Sequence, residues 1–142
     1  MSRTHEIRIG FFACLSLLLF QIGTGPAAAA PPFEITAAKM CKQVGPNRNP
    51  IGITDSFPPG TRAVHAWFSW KNGEPGFKVV AKWNYASENL RVLDYPFALT
   101  RVADHGVVSL RMPPGKSLPT GSYRLDFEVN GKVVKSVMFK VG

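Results

Sequence analysis

An antiparallel all-β fold, a sandwich of about seven strands, is predicted by three features of this sequence. Beyond residue 30 the apolar side chains recur with period two, the mark of half-buried strands. Turn-forming residues separate these runs at the roughly 8–12-residue spacing common in sandwiches. No run of useful length carries the 3.6-residue period of an amphipathic helix. Composition agrees: 142 residues hold 13 Gly and 12 Pro, are 45% hydrophobic, 11% aromatic and 18% charged, and contain two Cys. Such numbers exclude a disordered chain, a multi-span membrane protein, a coiled coil, a solenoid and a disulfide-rich miniprotein. The length suits one domain and is too short for a large multi-domain enzyme.

The first thirty residues read as an export address. Arg3 and Arg8 give a basic start. Ile9–Ile22 is almost wholly apolar, and the small residues Gly23, Gly25 and Ala27–Ala30 follow. This is the order of a secretory signal peptide. The apolar run of about 14 residues falls short of the roughly 20 that span a bilayer. Ala27-x-Ala29 fits the small-residue cleavage rule, and Pro31 disfavours a cut after Ala30. The expected division is therefore a signal peptide over 1–29 and a β-sandwich domain over 30–142, with no transmembrane segment after cleavage. Cys14 lies inside the apolar run, which argues against a lipoprotein box. Without Arg3, Arg8 and Glu6 the domain keeps 15 basic and eight acidic residues, so +7. Cys41 becomes its only cysteine, and no internal disulfide can form.

Phe33, Ile35 and Ala37 open a first strand that reaches Val44. Gly45–Gly60 is turn-rich, and its four prolines oppose helix and central strand. A second strand over Arg62–Trp70 aligns Val64, Ala66, Phe68 and Trp70. The third is the cleanest: Phe77, Val79, Ala81, Trp83 and Tyr85 share one face; Lys78, Val80, Lys82 and Asn84 share the other. A fourth runs from Asn89 to Tyr95, is interrupted by Pro96 and resumes at Phe97. Val108 and Leu110 align on a strand opened by Gly106. The closing hairpin aligns Tyr123, Leu125, Phe127 and Val129, turns at Asn130-Gly131 and returns over Val133–Val141. A two-residue turn sets Val129 against Lys132 and Asp126 against Lys135, with Val134 and Met138 toward the core. That leaves Val137, Phe139 and Val141 outward, too apolar a set for water, so either a bulge after Ser136 or a covering partner is expected there. Trp70 and Trp83 belong to the core. An eight-stranded barrel is the alternative, and the uneven strand spacing argues against it.

The run Leu118-Pro119-Thr120-Gly121-Ser122-Tyr123-Arg124-Leu125, followed by Asn130-Gly131 and Phe139-Lys140-Val141, resembles the closing hairpin of bacterial immunoglobulin-like domains. The resemblance covers residues 35–141 and implies an immunoglobulin-like antiparallel β-sandwich among small exported bacterial domains. It supplies no catalytic or ligand residues, and the antibody-type cysteine pair is missing.

Chemistry is thinly marked. The domain has two histidines, His65 and His105, and no Gly-x-Ser-x-Gly turn. Cys41 reads as a small buried hydrophobe rather than a nucleophile. Asp126 and Glu128 lie on a solvent face, without the arrangement that glycoside cleavage needs. Met40, Cys41, His65, His105 and Met112 are metal-ligand types without ligand spacing, so neither a metal site nor a cofactor is expected. With Val64, Phe68 and Trp70 inward, His65 and Trp67 point outward. An exposed Trp67 would suit stacking on a sugar or a partner protein. Lys78 and Lys82 give one strand a basic face that attracts polyanions. No stacking aromatics alternate with those lysines, which excludes specific nucleic-acid binding.

The sequence thus predicts a non-catalytic binding module of the bacterial periplasm or exterior, its partner another envelope or secreted protein. The alternative is a carbohydrate- or polyanion-binding module using Trp67, His65, Lys78 and Lys82.

Overall fold

The structure is a computed structural model that describes residues 31–142. The signal-peptide assignment lies outside the described residues. Seven long strands form two antiparallel sheets. One sheet has the order β2-β1-β4-β7, with β1 Glu34–Val44, β2 Pro50–Ile53, β4 Ala63–Lys71 and β7 Asp104–Arg111. The other has the order β3-β9-β8-β5-β6, with β3 Ser56–Phe57, β5 Lys78–Tyr85, β6 Leu90–Ala98, β8 Gly121–Val129 and β9 Lys132–Val141. Two short strands, β2 and β3, come from the Pro-rich stretch. β3 carries the chain across to the second sheet, where it pairs parallel with the end of β9.

Period-two burial makes the core. Val64, Ala66, Phe68 and Trp70 of β4 face Val79, Ala81 and Trp83 of β5 and Tyr123, Leu125 and Phe127 of β8, all buried. Phe68 makes contact between the sheets, its ring 5.0 Å from Phe127 and 5.5 Å from Phe97. A bulge in β1 between Ile35 and Ala37 changes the strand's face, so that Ile35 and Met40 both reach the core.

The hairpin register corrects the sequence reading. Val129 pairs with Lys132 and Glu128 with Val133, but Phe127 then pairs with Lys135, so Val134 is the extra residue of a bulge. Asp126 consequently meets Ser136 rather than Lys135, and Ser136 Oγ donates to its carboxylate at 2.6 Å. The slip turns Phe139 and Val141 into the core and leaves Val134 and Met138 exposed. Its physical reason is the burial of three apolar side chains that a regular ladder would wet. Asp126 is itself buried on the outer face, held by Arg124 Nε at 3.0 Å and by Ser136.

At the start of β8 the motif seen in the sequence has a mechanical role. Tyr123 Oη donates to the carbonyl of Pro119 at 2.5 Å, four residues upstream, and Tyr85 Oη donates to the carbonyl of Thr120 at 2.6 Å. This is the tyrosine corner of immunoglobulin-type sandwiches. Gly121, at φ 144°, is required here: a Cβ would lie 2.6 Å from the Tyr85 hydroxyl. Two residues past the corner tyrosine, where antibody domains carry a cysteine, stands Leu125, fully buried and opposite Trp83.

Burial pushes the Tyr123 phenol up to about 12. The unfolded phenol ionises near 10. Folding stability is therefore complete below about pH 10 and falls as pH rises toward 12. Tyr123→Phe is expected to lose about 1–3 kcal/mol by leaving the Pro119 carbonyl unpaired, measured by urea unfolding at pH 7. Phenolate absorbance of the native protein should include a step near pH 12 that unfolding moves toward about 10, and Tyr123→Phe should remove it.

Candidate functional site

Both sheets end on the same side of the sandwich. β7 is the last strand of one and β6 the last strand of the other, joined by residues 99–103. Along β6 the inward positions are Leu90, Leu93 and Tyr95, opposite Tyr85, Trp83 and Ala81 of β5. Elsewhere in this sheet such positions are core. Here no described strand lies beyond β7 to cover them. Leu90 is 54%, Val92 41%, Leu93 41% and Tyr95 49% exposed. Val92 is the extra residue of a bulge, since Trp83 pairs with Leu93 and Asn84 with Arg91. On the outer side of the same strand Arg91 Nη1 forks onto both carboxylate oxygens of Asp94, at 3.2 and 3.0 Å. β6 is continuous through Pro96, which an edge strand tolerates because it lacks only one donor.

Two clefts extend this apolar row between the sheets. One, about 330 Å³, is lined by Tyr85, Leu90, Val92, Met112, Leu118 and Tyr123 among others. The second, about 210 Å³, lies between Phe68, Trp70 and Gly106 on one sheet and Tyr95 and Phe97 on the other, with Arg48 at its rim. A larger trough of about 480 Å³ lies by Phe33, Phe77 and Val129 and contains none of the candidate residues. The open side can therefore hold an apolar surface. Sequence reasoning missed it because Leu90, Leu93 and Tyr95 read like any half-buried strand; only the absence of a facing strand marks them.

The four residues singled out in the sequence do not form one site. His65 and Trp67 lie on the outer face of β4, and Lys78 and Lys82 on the outer face of β5, in the opposite sheet. Nor is the first pair open to water. His65 is only 8% exposed and Trp67 is half-buried, with its indole Nε1 buried and without a hydrogen-bond partner among the described residues. The reason is the β1–β2 hairpin, which folds back across this face. Its tip carbonyl, Asn47 O, accepts from His105 Nε2 at 2.9 Å on β7, two strands away from β1. Trp67 packs beside His105, ring centroids 5.9 Å apart, with Lys39 Nζ 5.8 Å from the ring. Lys78 is exposed. Lys82 bonds to Glu128 at 3.0 Å and stands in register with Asp94 and Asp126, so its charge is locally matched rather than displayed.

Cys41 and His65 are cross-strand neighbours, and His65 Nδ1 lies 2.6 Å from Ser109 Oγ. This row does not activate the thiol. Burial, the largest effect, raises the Cys41 pKa against opposing hydrogen bonds from the Ile51 and Gln43 backbone. A reactive cysteine needs a lowered pKa and access. Among the described residues no three His, Cys, Asp or Glu side chains gather as a metal-binding group.

The fold is immunoglobulin-like. Among solved structures the chain is similar to an immunoglobulin-like protein from Pseudomonas aeruginosa, with a TM-score of 0.55 and 13% identity over 81% of this chain and 100% of that one. At that identity the likeness is one of fold alone. An alkylpurine DNA glycosylase from Pseudomonas fluorescens matches 77% of this chain and 30% of its own at 15% identity and a TM-score of 0.46. A Niemann-Pick type C2 protein from the Japanese carpenter ant matches 81% and 96% at 11% identity and 0.39. Both scores are too low to carry an argument. No protein-family model and no curated protein matches the sequence.

Desolvation first, and Arg111 second, lower the His65 pKa. An unfolded histidine gains its proton near 6.5, and the folded one resists it. Stability is thus complete above that pH and falls as pH drops below it. Unfolding curves at about pH 7.5 and 5.5 should show this loss, and His65→Gln should reduce it.

Proposed function

We propose that this protein is an exported, non-catalytic interaction module of the bacterial periplasm or exterior, and that it meets its partner on the open side between β6 and β7. One observation carries the reading: an edge strand whose apolar residues stand 41–54% exposed beside a continuous core. Soluble domains rarely leave a contiguous apolar surface uncovered without an interaction to cover it. Clefts at both ends of the row lengthen the surface, and the unpaired edge gives a partner main-chain groups to bind. Export is supported by the basic, apolar and small-residue order of the first thirty positions. The envelope or secreted origin of the partner follows from that address. A sugar or polyanion reading loses its geometric support, since Trp67 is covered and Lys82 is matched by acids.

Expression of the full chain in a bacterial host, followed by mass spectrometry of the periplasmic and external fractions, should find a mature protein beginning at Ala30. A full-length chain kept in the cytoplasm would overturn export. In the mature protein, Leu93→Glu with Tyr95→Ser should leave the melting temperature within a few degrees, because nearly half of each side chain is already in water. The same pair should abolish crosslinking of the protein to its envelope partner in living cells. Unchanged crosslinking would move the interaction elsewhere.

A further inference from the structure

We propose that the partner of this surface is a second copy of the chain, joined β6 to β6 in antiparallel register about a two-fold axis. The inference rests on the reading of the open side as an interaction surface, and it names the occupant. A two-fold interface must be complementary to itself: if residue i meets residue j, then j meets i. β6 meets this condition in one register. With Arg91 opposite the partner's Asp94, Leu90 falls opposite the partner's Tyr95 and Val92 opposite the partner's Leu93.

The faces also agree. Arg91 and Asp94 both lie on the outer side of the sheet, across from Asn84 and Lys82; Leu90 and Tyr95 both lie on the inner side, across from Tyr85 and Ala81. Each pair of the register with a defined side therefore shares it. The bulge at Val92 makes this work. It returns Leu93 to the inner side, so that the two charges, three positions apart, point the same way. In the single chain Arg91 and Asp94 bond to each other, both about half in water. In the pair each exchanges this partner for the same group on the other copy, which occurs twice by symmetry. Directly opposed opposite charges and apolar pairs across a ladder each favour pairing.

Within this sheet the pairing also stops at two copies. The other edge of the five-stranded sheet is β3, two residues long and parallel to β9. It offers no comparable strand for a third copy. Pro96 removes a donor beyond the paired stretch, which confines the contact to residues 90–95.

Sedimentation velocity of the mature protein over about 1–200 µM should show a concentration-dependent dimer. Arg91→Asp places two acids opposite each other, and Asp94→Arg two bases. Each variant alone should weaken dimerisation at least tenfold with an unchanged circular-dichroism spectrum. An equimolar mixture of the two should recover the dimer, because each mixed pair again opposes an acid and a base. A purely intramolecular role for Arg91 and Asp94 cannot give recovery on mixing. A monomeric wild type at the highest concentration overturns the proposal, as do dimers unaffected by either variant or variants that stay apart when mixed. The broader reading is separable. If the wild type is monomeric but Leu93→Glu with Tyr95→Ser abolishes crosslinking to a different envelope protein, self-pairing falls and the interaction surface stands. If those substitutions change nothing, both fall.

Discussion

The contact between Phe68 of one sheet and Phe127 and Phe97 of the other is the constraint on which this sandwich depends. Among the described residues there is no covalent staple; Cys41, their only cysteine, is free and buried. Cohesion between the layers must therefore come from apolar burial, at roughly 1.5–3 kcal/mol for each large side chain removed from water. The aromatic side chains are placed accordingly. Trp83 and Tyr123 both pack on Phe139, and Leu125 stands where antibody domains place a cysteine. The tyrosine corner then fixes the turn into β8, and with it the strand that supplies the middle of the core.

Unequal sheets give the molecule its functional asymmetry. At one side the two layers meet where β1 lies against β9. At the other side β6 extends past the cover that β7 provides, and positions that would be core become surface. The same chain treats its other potential surface in the opposite way. The outer face of β4 carries His65, Trp67 and the neighbouring Cys41, and the β1–β2 hairpin is folded over it and bonded to His105. One face rich in functional side chains is thus closed, while one of ordinary aliphatic character is left open. Functional reading follows exposure here rather than residue type.

Charge shows the same dependence on placement. A domain balance of +7 suggests a polyanion surface when the residues are read along the chain. In the sheet, Lys82 meets Glu128, Arg124 meets Asp126, and Arg91 meets Asp94, so the outer face of β5, β6 and β8 is a mosaic of opposed pairs. Pairing across strands at Lys82–Glu128 and within strands at Arg124–Asp126 and Arg91–Asp94 matches these charges locally, and what remains for recognition at this edge is apolar shape with one pair of opposite charges.

The sequence by itself determined the fold class, the seven long strands and most of the core. Strand alternation is a local property, and Val64–Trp70 or Val79–Trp83 must bury the same face in any sandwich. It also determined the Asn130-Gly131 turn, because few residues accept the positive φ that both adopt. Which bulge resolves the apolar excess of Val137, Phe139 and Val141 was decided by packing, since a one-residue slip becomes visible only against the opposite strand. The covering of Trp67, the separation of His65 from Lys78 and Lys82 onto opposite sheets, and the exposure of Leu90, Leu93 and Tyr95 were likewise tertiary. Each depends on which strand or hairpin lies across from a residue, and that is set by contacts between segments far apart in the chain.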